Sequence, residues 1–484
     1  GGQPLICSKR RSKALQKTVN QIAKTQKLLA KHINQRFFDP STFYRVSSEP
    51  LETWDEARHI GSAYEMLFRH EYTINYWQGK EDYWNLKPSL SFFFIVLSLK
   101  LFGHGLLAAR LPSLLCFLAM IAGLYRFMVN RFSRVEGLYA ITLFSIWTQN
   151  VFPHSFRHSD ADALYCTLYL ACILLCLKRT DRAFCLACVT AALCFLTKSW
   201  HVLSLLPPLM LSCVLTKKSF RLPLKGTLCF LAPIMLWAGL RAHHDGLKFL
   251  RKMVWYDLLK RTGQPIEDHH SPVYFYLSCF VHDYSYLLWL LGALAGAGLL
   301  ACRLRAFRAE RFRSGIPAWM QTDMGVLGVA ILAVFCLFSI ARTRLPWYTY
   351  PAYPLLCVLM TYLFALLRPA LKAVACGLAG VLFLLSFSAS WQRENYMRLP
   401  IFYRQLQAAA YLPMVHVWKD GVTSQNDYVA LLTYLPPPPD MIRTTGPEEK
   451  APRTLIIRPT GPEPVCDGCT LISKGDQYDL FWRE

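Results

Sequence analysis

Apolar runs of roughly 15–22 residues recur from Leu90 to Ser388, separated by short polar loops. Each is about long enough to cross ~30 Å of hydrocarbon as a helix. The pattern places about ten spans near 106–125, 136–152, 161–177, 183–197, 200–216, 226–241, 284–302, 324–341, 347–367 and 373–390. The run Leu90–Phe102 is too short to join them and lies between two stretches assigned to one side, so it reads as a re-entrant or interfacial helix. Ahead of it, Glu56–Phe68 predicts an amphipathic helix without a spanning run. From Trp391 the chain turns polar, with turn signals at Pro436–Pro439, Gly446-Pro447 and Gly461-Pro462. There the short runs from Tyr428 to Leu432 and from Thr454 to Ile457 read as buried strands. The expectation is an all-α polytopic membrane protein of about 10–11 spans with a small C-terminal α/β extramembrane domain. Its regions are a basic arm (1–50), a membrane domain (51–390) with outside loops at 51–89 and 242–283, and the extramembrane tail (391–484).

Composition agrees, with 54% apolar and only 17% charged residues. The net charge of +22 would suggest nucleic acid were it spread over one surface. It is instead gathered in short loops between spans, such as Lys178/Arg179/Arg182 and Arg303/Arg305/Arg308, so it reports topology and excludes a nucleic-acid partner. Placing these loops inside puts the C-terminus outside. With ten spans it puts the nine cations of the N-terminal arm outside as well. That conflict predicts a missing first spanning helix ahead of Asp55. Most of the 17 cysteines fall in apolar runs, where they act as small hydrophobes. Cys466 and Cys469 lie in the polar tail, where a small disulfide loop and two free thiols are both open.

Charged and aromatic residues collect at outside span ends, where charge is costly and marks function. Asp55-Glu56 starts the amphipathic helix, although acids in a first turn also serve as helix-end charges. Lys87 precedes Pro88 just ahead of Leu90; it can snorkel to headgroups or bind an anionic lipid phosphate. Arg157, Asp160 and Asp162 enter one span, and Lys198 forms the turn between two others. Arg344 and Tyr348 lead into another, suited to a phosphate ester. No metal site is predicted: His269 and His270 have ligand chemistry, but adjacent histidines rarely share one ion. A divalent metal is the only cofactor left open. Walker-type, dinucleotide and Gly-x-Ser-x-Gly motifs are absent.

Six segments occur in the order of a known family: WDEARH, YWNLKPSLSFFFIVLSLKLFG, AARLPS, FRHSDADAL, FLTKSW and RTRLPWYTYPAYPLL. Over roughly 51–390 the chain resembles the integral-membrane GT-C glycosyltransferases of the protein O-mannosyltransferase and aminoarabinose (lipid A) transferase group. The resemblance implies a GT-C type helical bundle in a bacterial inner membrane, with its active site on the periplasmic side. It implies transfer of a hexosyl or pentosyl group from a polyprenyl-phosphate donor to a lipid, glycan or protein acceptor. Carried over, Asp55 would be the catalytic carboxylate, supported by Glu56, with Asp162 the acid of the later helix. Lys87, Arg344 and Tyr348 would hold the donor phosphate. His59, Tyr83, Arg157, Asp160 and Lys198 would line the substrates. The chain departs from the pattern at Leu86, where relatives often carry Glu, and at His59, where Tyr is frequent. A transporter or flippase of lipid-linked sugars, or an inactive truncated pseudoenzyme, are the alternative readings.

Overall fold

The computed structural model describes residues 46–47, 49–51, 54–146, 154, 156–216, 221–264, 271–283, 318–396, 399–412, 414–419, 422, 424–435, 442–443, 452–461 and 469–483. The basic arm up to residue 45, the predicted span 284–302 and the pair His269/His270 lie outside these residues.

Four apolar helical stretches are long enough to cross a membrane: Leu106–Arg131, Asp181–Thr216, Leu222–Asp245 and Ala318–Ile340. Shorter apolar helices, Ala161–Cys176, Ala352–Ala365 and Pro369–Leu385, pack among them. The Asp181–Thr216 stretch is broken by a 3₁₀ turn at Ser199–Leu205, so the two spans expected there are the helices Asp181–Lys198 and Leu206–Thr216. One continuous apolar core runs through the bundle. Leu224, Leu228, Met235, Leu236 and Leu240 on one helix and Val374, Val381 and Leu384 on another remain exposed. A soluble protein would bury such rows; a lipid-facing surface does not need to.

Leu90–Phe102 is a helix with the predicted bounds. Together with the helix Asp55–Arg69 and the C-terminal domain it forms a second core at one end of the bundle. The hairpin β1 (Tyr76–Trp77) and β2 (Lys80–Glu81) leans on that helix through a tight turn. Gln78 (φ 51°) and Gly79 (φ 78°) are both left-handed there, the backbone that two-residue hairpins favour. Gly61 leaves room for the Trp77 ring, since a Cβ would come within 2.6 Å of it.

The C-terminal domain is a five-stranded mixed sheet in the order β4-β3-β5-β7-β6. Its strands are β3 (His416–Lys419), β4 (Ile442–Arg443), β5 (Thr454–Pro459), β6 (Thr470–Ser473) and β7 (Tyr478–Arg483). The strand expected from Thr454 is β5, parallel to β3 and antiparallel to β7. The strand expected at 428–432 is instead the helix Gln425–Tyr434. Ser424 caps it, its Oγ accepting from the Asp427 N–H, and the run is buried on all sides rather than alternately. A short apolar run buried on every side carries no period, and that is why the sequence misled. This helix docks on the Asp55–Arg69 helix: Tyr428 donates to Glu65 Oε1 (3.0 Å) and Asn426 Nδ2 donates to the Leu51 carbonyl (2.9 Å). Cys469 is disulfide-bonded, while Cys466 lies outside the described residues.

Candidate active site

Asp55, Lys87, Asp160, Asp162 and Lys198 come from four separate segments and meet at the end of the bundle that carries the C-terminal domain. The Lys87 ammonium lies 3.1 Å from Asp55 Oδ1, and Lys198 pairs with Asp162 Oδ1. Asp160 is the N-cap of Ala161–Cys176, its Oδ1 accepting from the Asp162 N–H at 2.8 Å. Burial opposes the ionisation of Asp55. The charges of Lys87, then His154, outweigh it and hold this carboxyl well below the usual carboxylate range. Backbone strain gathers here: Trp54 (φ 64°), His154 (φ 63°) and Ser199 (φ 48°) are left-handed, each at or beside a charged member of the cluster.

Beside Asp55 lies a cavity of about 60 Å³, lined among others by Lys87, Lys198, Ser199, Arg261, Trp347 and Tyr348. A neighbouring hollow of about 100 Å³ shares His201, Asp257, Arg261 and Tyr348 with it and continues over Leu337, Phe338 and Ile340. Arg261 donates to the Tyr348 hydroxyl at 3.1 Å, and Asp257 accepts from Ser199 Oγ at 2.7 Å. Asp257 sits in a π-helical stretch, Met253–Lys260, with Arg261 just after it. Such stretches often occur at functional positions. On the far side of Asp160 an apolar groove of about 360 Å³ runs between Leu90–Phe102 and Leu106–Arg131, lined by Phe94, Leu97, Leu101, Leu111 and Leu115.

Not every expected residue faces these spaces. Glu56 is corrected from catalytic to structural. Its carboxylate is consumed by a bidentate pair with Arg110 (2.7 and 2.8 Å) and by the Ser159 N–H (2.9 Å), all buried. Arg344 is likewise corrected. Its guanidinium donates to the carbonyls of Ser271 and Ser339 (2.8 Å for the latter), so the arginine facing the cavity is Arg261. Arg157 pairs with Glu49 at 2.8 Å, and Tyr83 donates to Glu81 (2.7 Å) and Asp245 (3.0 Å) on the outer loops; neither lines the cavity. His59 stands behind Asp55, its Nδ1 2.8 Å from the Asp55 carbonyl and its ring stacked on Phe92. Burial, then the Lys87 charge, pushes it down to about 3, so it is neutral.

His154 was not expected. Its ring stacks on Trp347 with centroids 4.0 Å apart. Nδ1 lies 2.8 Å from Asp160 Oδ2, 3.3 Å from Asp162 Oδ2 and 3.8 Å from Asp55 Oδ2. Burial would lower its pKa, but the Asp160 charge outweighs that and holds it up to about 10. Its signal in the sequence was the spacing His154-x5-Asp160-x-Asp162, on a loop with no periodicity to single it out. Among the described residues, His154, Asp160 and Asp162 are the group with the donor spacing to hold a metal.

Comparison with known proteins is consistent with this arrangement. Residues 86–240 match the family profile of dolichyl-phosphate-mannose-protein mannosyltransferase. The chain is 26% identical over 349 residues to the undecaprenyl phosphate-alpha-4-amino-4-deoxy-L-arabinose arabinosyl transferase 2 of Proteus mirabilis, covering 67% of this chain and 57% of that one. It is 28% identical over 170 residues to the corresponding transferase of Edwardsiella ictaluri, covering 34% and 28%. The chain thus spans about half the length, or less, of these curated relatives. Two solved structures of ArnT from Cupriavidus metallidurans superpose on it. The apo form has TM-score 0.62 at 13% identity, covering 96% of this chain and 98% of that one. The undecaprenyl phosphate-bound form has TM-score 0.63 at 14% identity, covering 91% and 95%. The chain therefore has the GT-C transferase fold of ArnT, built around a buried ring of carboxylates and ammonium groups.

Proposed function

We propose that the protein is a polyprenyl-phosphate-dependent glycosyltransferase, moving a sugar to a lipid, glycan or protein acceptor at the outer, periplasmic face of a bacterial inner membrane. The observation that carries this reading is the contact between Asp55 and Lys87 at the edge of a cavity that also holds Arg261 and Tyr348. A glycosyl phosphate needs two things at once. Its leaving phosphate must find cationic and hydroxyl donors as charge develops, and Lys87, Arg261 and the Tyr348 hydroxyl supply them. The acceptor must lose a proton, and Asp55 takes it. The bond from the anomeric carbon to the phosphate oxygen breaks as the acceptor oxygen forms its own bond to that carbon; polyprenyl phosphate leaves.

The ion pair makes the two requirements interdependent. While Lys87 is bound to Asp55 the carboxylate is a weak base. A donor phosphate draws Lys87 toward itself and so frees Asp55 for the acceptor proton. The hollow over Leu337, Phe338 and Ile340 leads away from Arg261 and suits the isoprenyl tail; the groove beside Asp160 suits an apolar acceptor. Support also comes from the relatives, whose names specify undecaprenyl-phosphate-linked 4-amino-4-deoxy-L-arabinose, a pentose.

The test is turnover by the full chain in nanodiscs on a panel of labelled polyprenyl-phosphate sugars. Release of polyprenyl phosphate that disappears in Asp55→Asn supports transfer. A folded chain that binds the donors without breaking the bond overturns it and favours movement of lipid-linked sugars.

A further inference from the structure

The three carboxylates of the cluster share one geometric habit. Each has one oxygen already engaged: Asp55 Oδ1 by Lys87, Asp160 Oδ1 by the Asp162 N–H, Asp162 Oδ1 by Lys198. In each, the other oxygen, Oδ2, turns toward the same atom, Nδ1 of His154. That nitrogen belongs to a ring only 7% exposed and, despite its proximity to Asp160, makes no hydrogen bond of acceptable geometry. Atoms that converge this closely without aligning as donor and acceptor are arranged around a point rather than along a bond.

The spacing identifies what fits that point. Metal–ligand bonds of about 2.0–2.2 Å at tetrahedral or octahedral angles place neighbouring ligand atoms roughly 2.8–3.5 Å apart. His154 Nδ1 lies 2.8 Å from Asp160 Oδ2 and 3.3 Å from Asp162 Oδ2. The Asp55 oxygen, at 3.8 Å, stands just outside that range, beside the cavity. Charge points the same way. Two ammonium groups face three carboxylates, which leaves one negative charge at the His154 corner. Trp347, stacked on the imidazole, fixes its plane as a ligand requires.

We propose that His154, Asp160 and Asp162 form a binding site for a divalent cation of the Mn²⁺ or Zn²⁺ kind, with Asp55 Oδ2 as the adjoining fourth ligand. One imidazole nitrogen with carboxylate oxygens favours these ions over Ca²⁺, which takes oxygen alone and more of it. The site's role rests on the glycosyl-transfer reading. A cation there supplies positive charge beside Asp55, on the face opposite Lys87, where the acceptor oxygen must be held while it loses its proton.

Binding can be measured without donor or acceptor, so this proposal and the transfer reading fail separately. The full chain in nanodiscs is stripped with a chelator and titrated with Mn²⁺, followed by electron paramagnetic resonance, with Zn²⁺ as competitor. One tight equivalent is expected, weakened at least tenfold in His154→Gln and in Asp160→Asn, each checked by thermal unfolding. If one variant does not fold, the other decides. A folded wild-type chain that takes up no stoichiometric Mn²⁺ or Zn²⁺ overturns the site, as does binding that survives in the folded variants.

Discussion

Two buried charge clusters hold opposite ends of this bundle, and they differ in how completely they are satisfied. At the end of the basic loops, Asp323 is fully buried. Its carboxylate takes Arg131 and the Tyr362 hydroxyl (2.9 Å) on one oxygen and Arg179 on the other. No oxygen is spare, and none of the cavities described above includes it. At the other end every aspartate keeps one oxygen turned toward His154 beside open space. Both clusters bury charge at a cost of several kcal/mol per ion before pairing. Only one leaves groups unsaturated. A saturated cluster joins helices; an unsaturated one awaits a ligand.

The sharpest way to break this contrast is to neutralise one aspartate at each end. Asp55→Asn should lower the transfer rate on the order of 10³-fold with little change in the thermal midpoint, since general-base catalysis contributes about 10²–10⁴. Asp323→Asn should do the reverse. Removing one partner of a buried pair costs about 3 kcal/mol, so thermal unfolding should shift down while the turnover of the folded fraction holds. If Asp323→Asn instead abolished turnover without loss of stability, the division between the two ends would fall. Next in size, Tyr348→Phe and Arg261→Met should each lower kcat about 10–100-fold, as one leaving-phosphate donor is lost; Arg344→Met, kept off the cavity by its carbonyl partners, should change kcat little. A smaller effect tests the ion pair. In Lys87→Gln, Asp55 loses the charge that holds its pKa down, so its pKa rises. The acid limb of the residual kcat/KM profile should then move to higher pH; an unmoved limb would mean that Asp55 does not set it.

How far the sequence revealed this site depended on what each residue does locally. Asp55, Lys87, Asp162 and Tyr348 stand at span ends, where charge or a polar tip needs an explanation, and they do meet around one cavity or its adjoining cluster. Glu56 and Arg344 carried the same surface signal but turn inward, to Arg110 and to backbone carbonyls. Which way a side chain turns depends on tertiary partners far along the chain, such as Arg110 at 54 positions from Glu56. Arg261 and Asp257 were hidden because they sit in or beside an irregular helical turn outside the recognised motifs. The helices Leu90–Phe102 and Ala318–Ile340 were legible because hydrocarbon imposes length and polarity directly. The run at 428–432 was not, because burial on all sides erases the period that separates helix from strand.

The wide-wound turn at Met253–Lys260 sets the phase of everything after it. An α-helix advances about 100° per residue, so one residue more or fewer re-aims every later side chain by that angle. Excising a single residue between Val254 and Leu258 would let the turn tighten to α geometry and swing Arg261 away from the Tyr348 hydroxyl, with no cavity-lining side chain altered. The length of this segment is thus a specification in its own right: here the chain encodes function by counting.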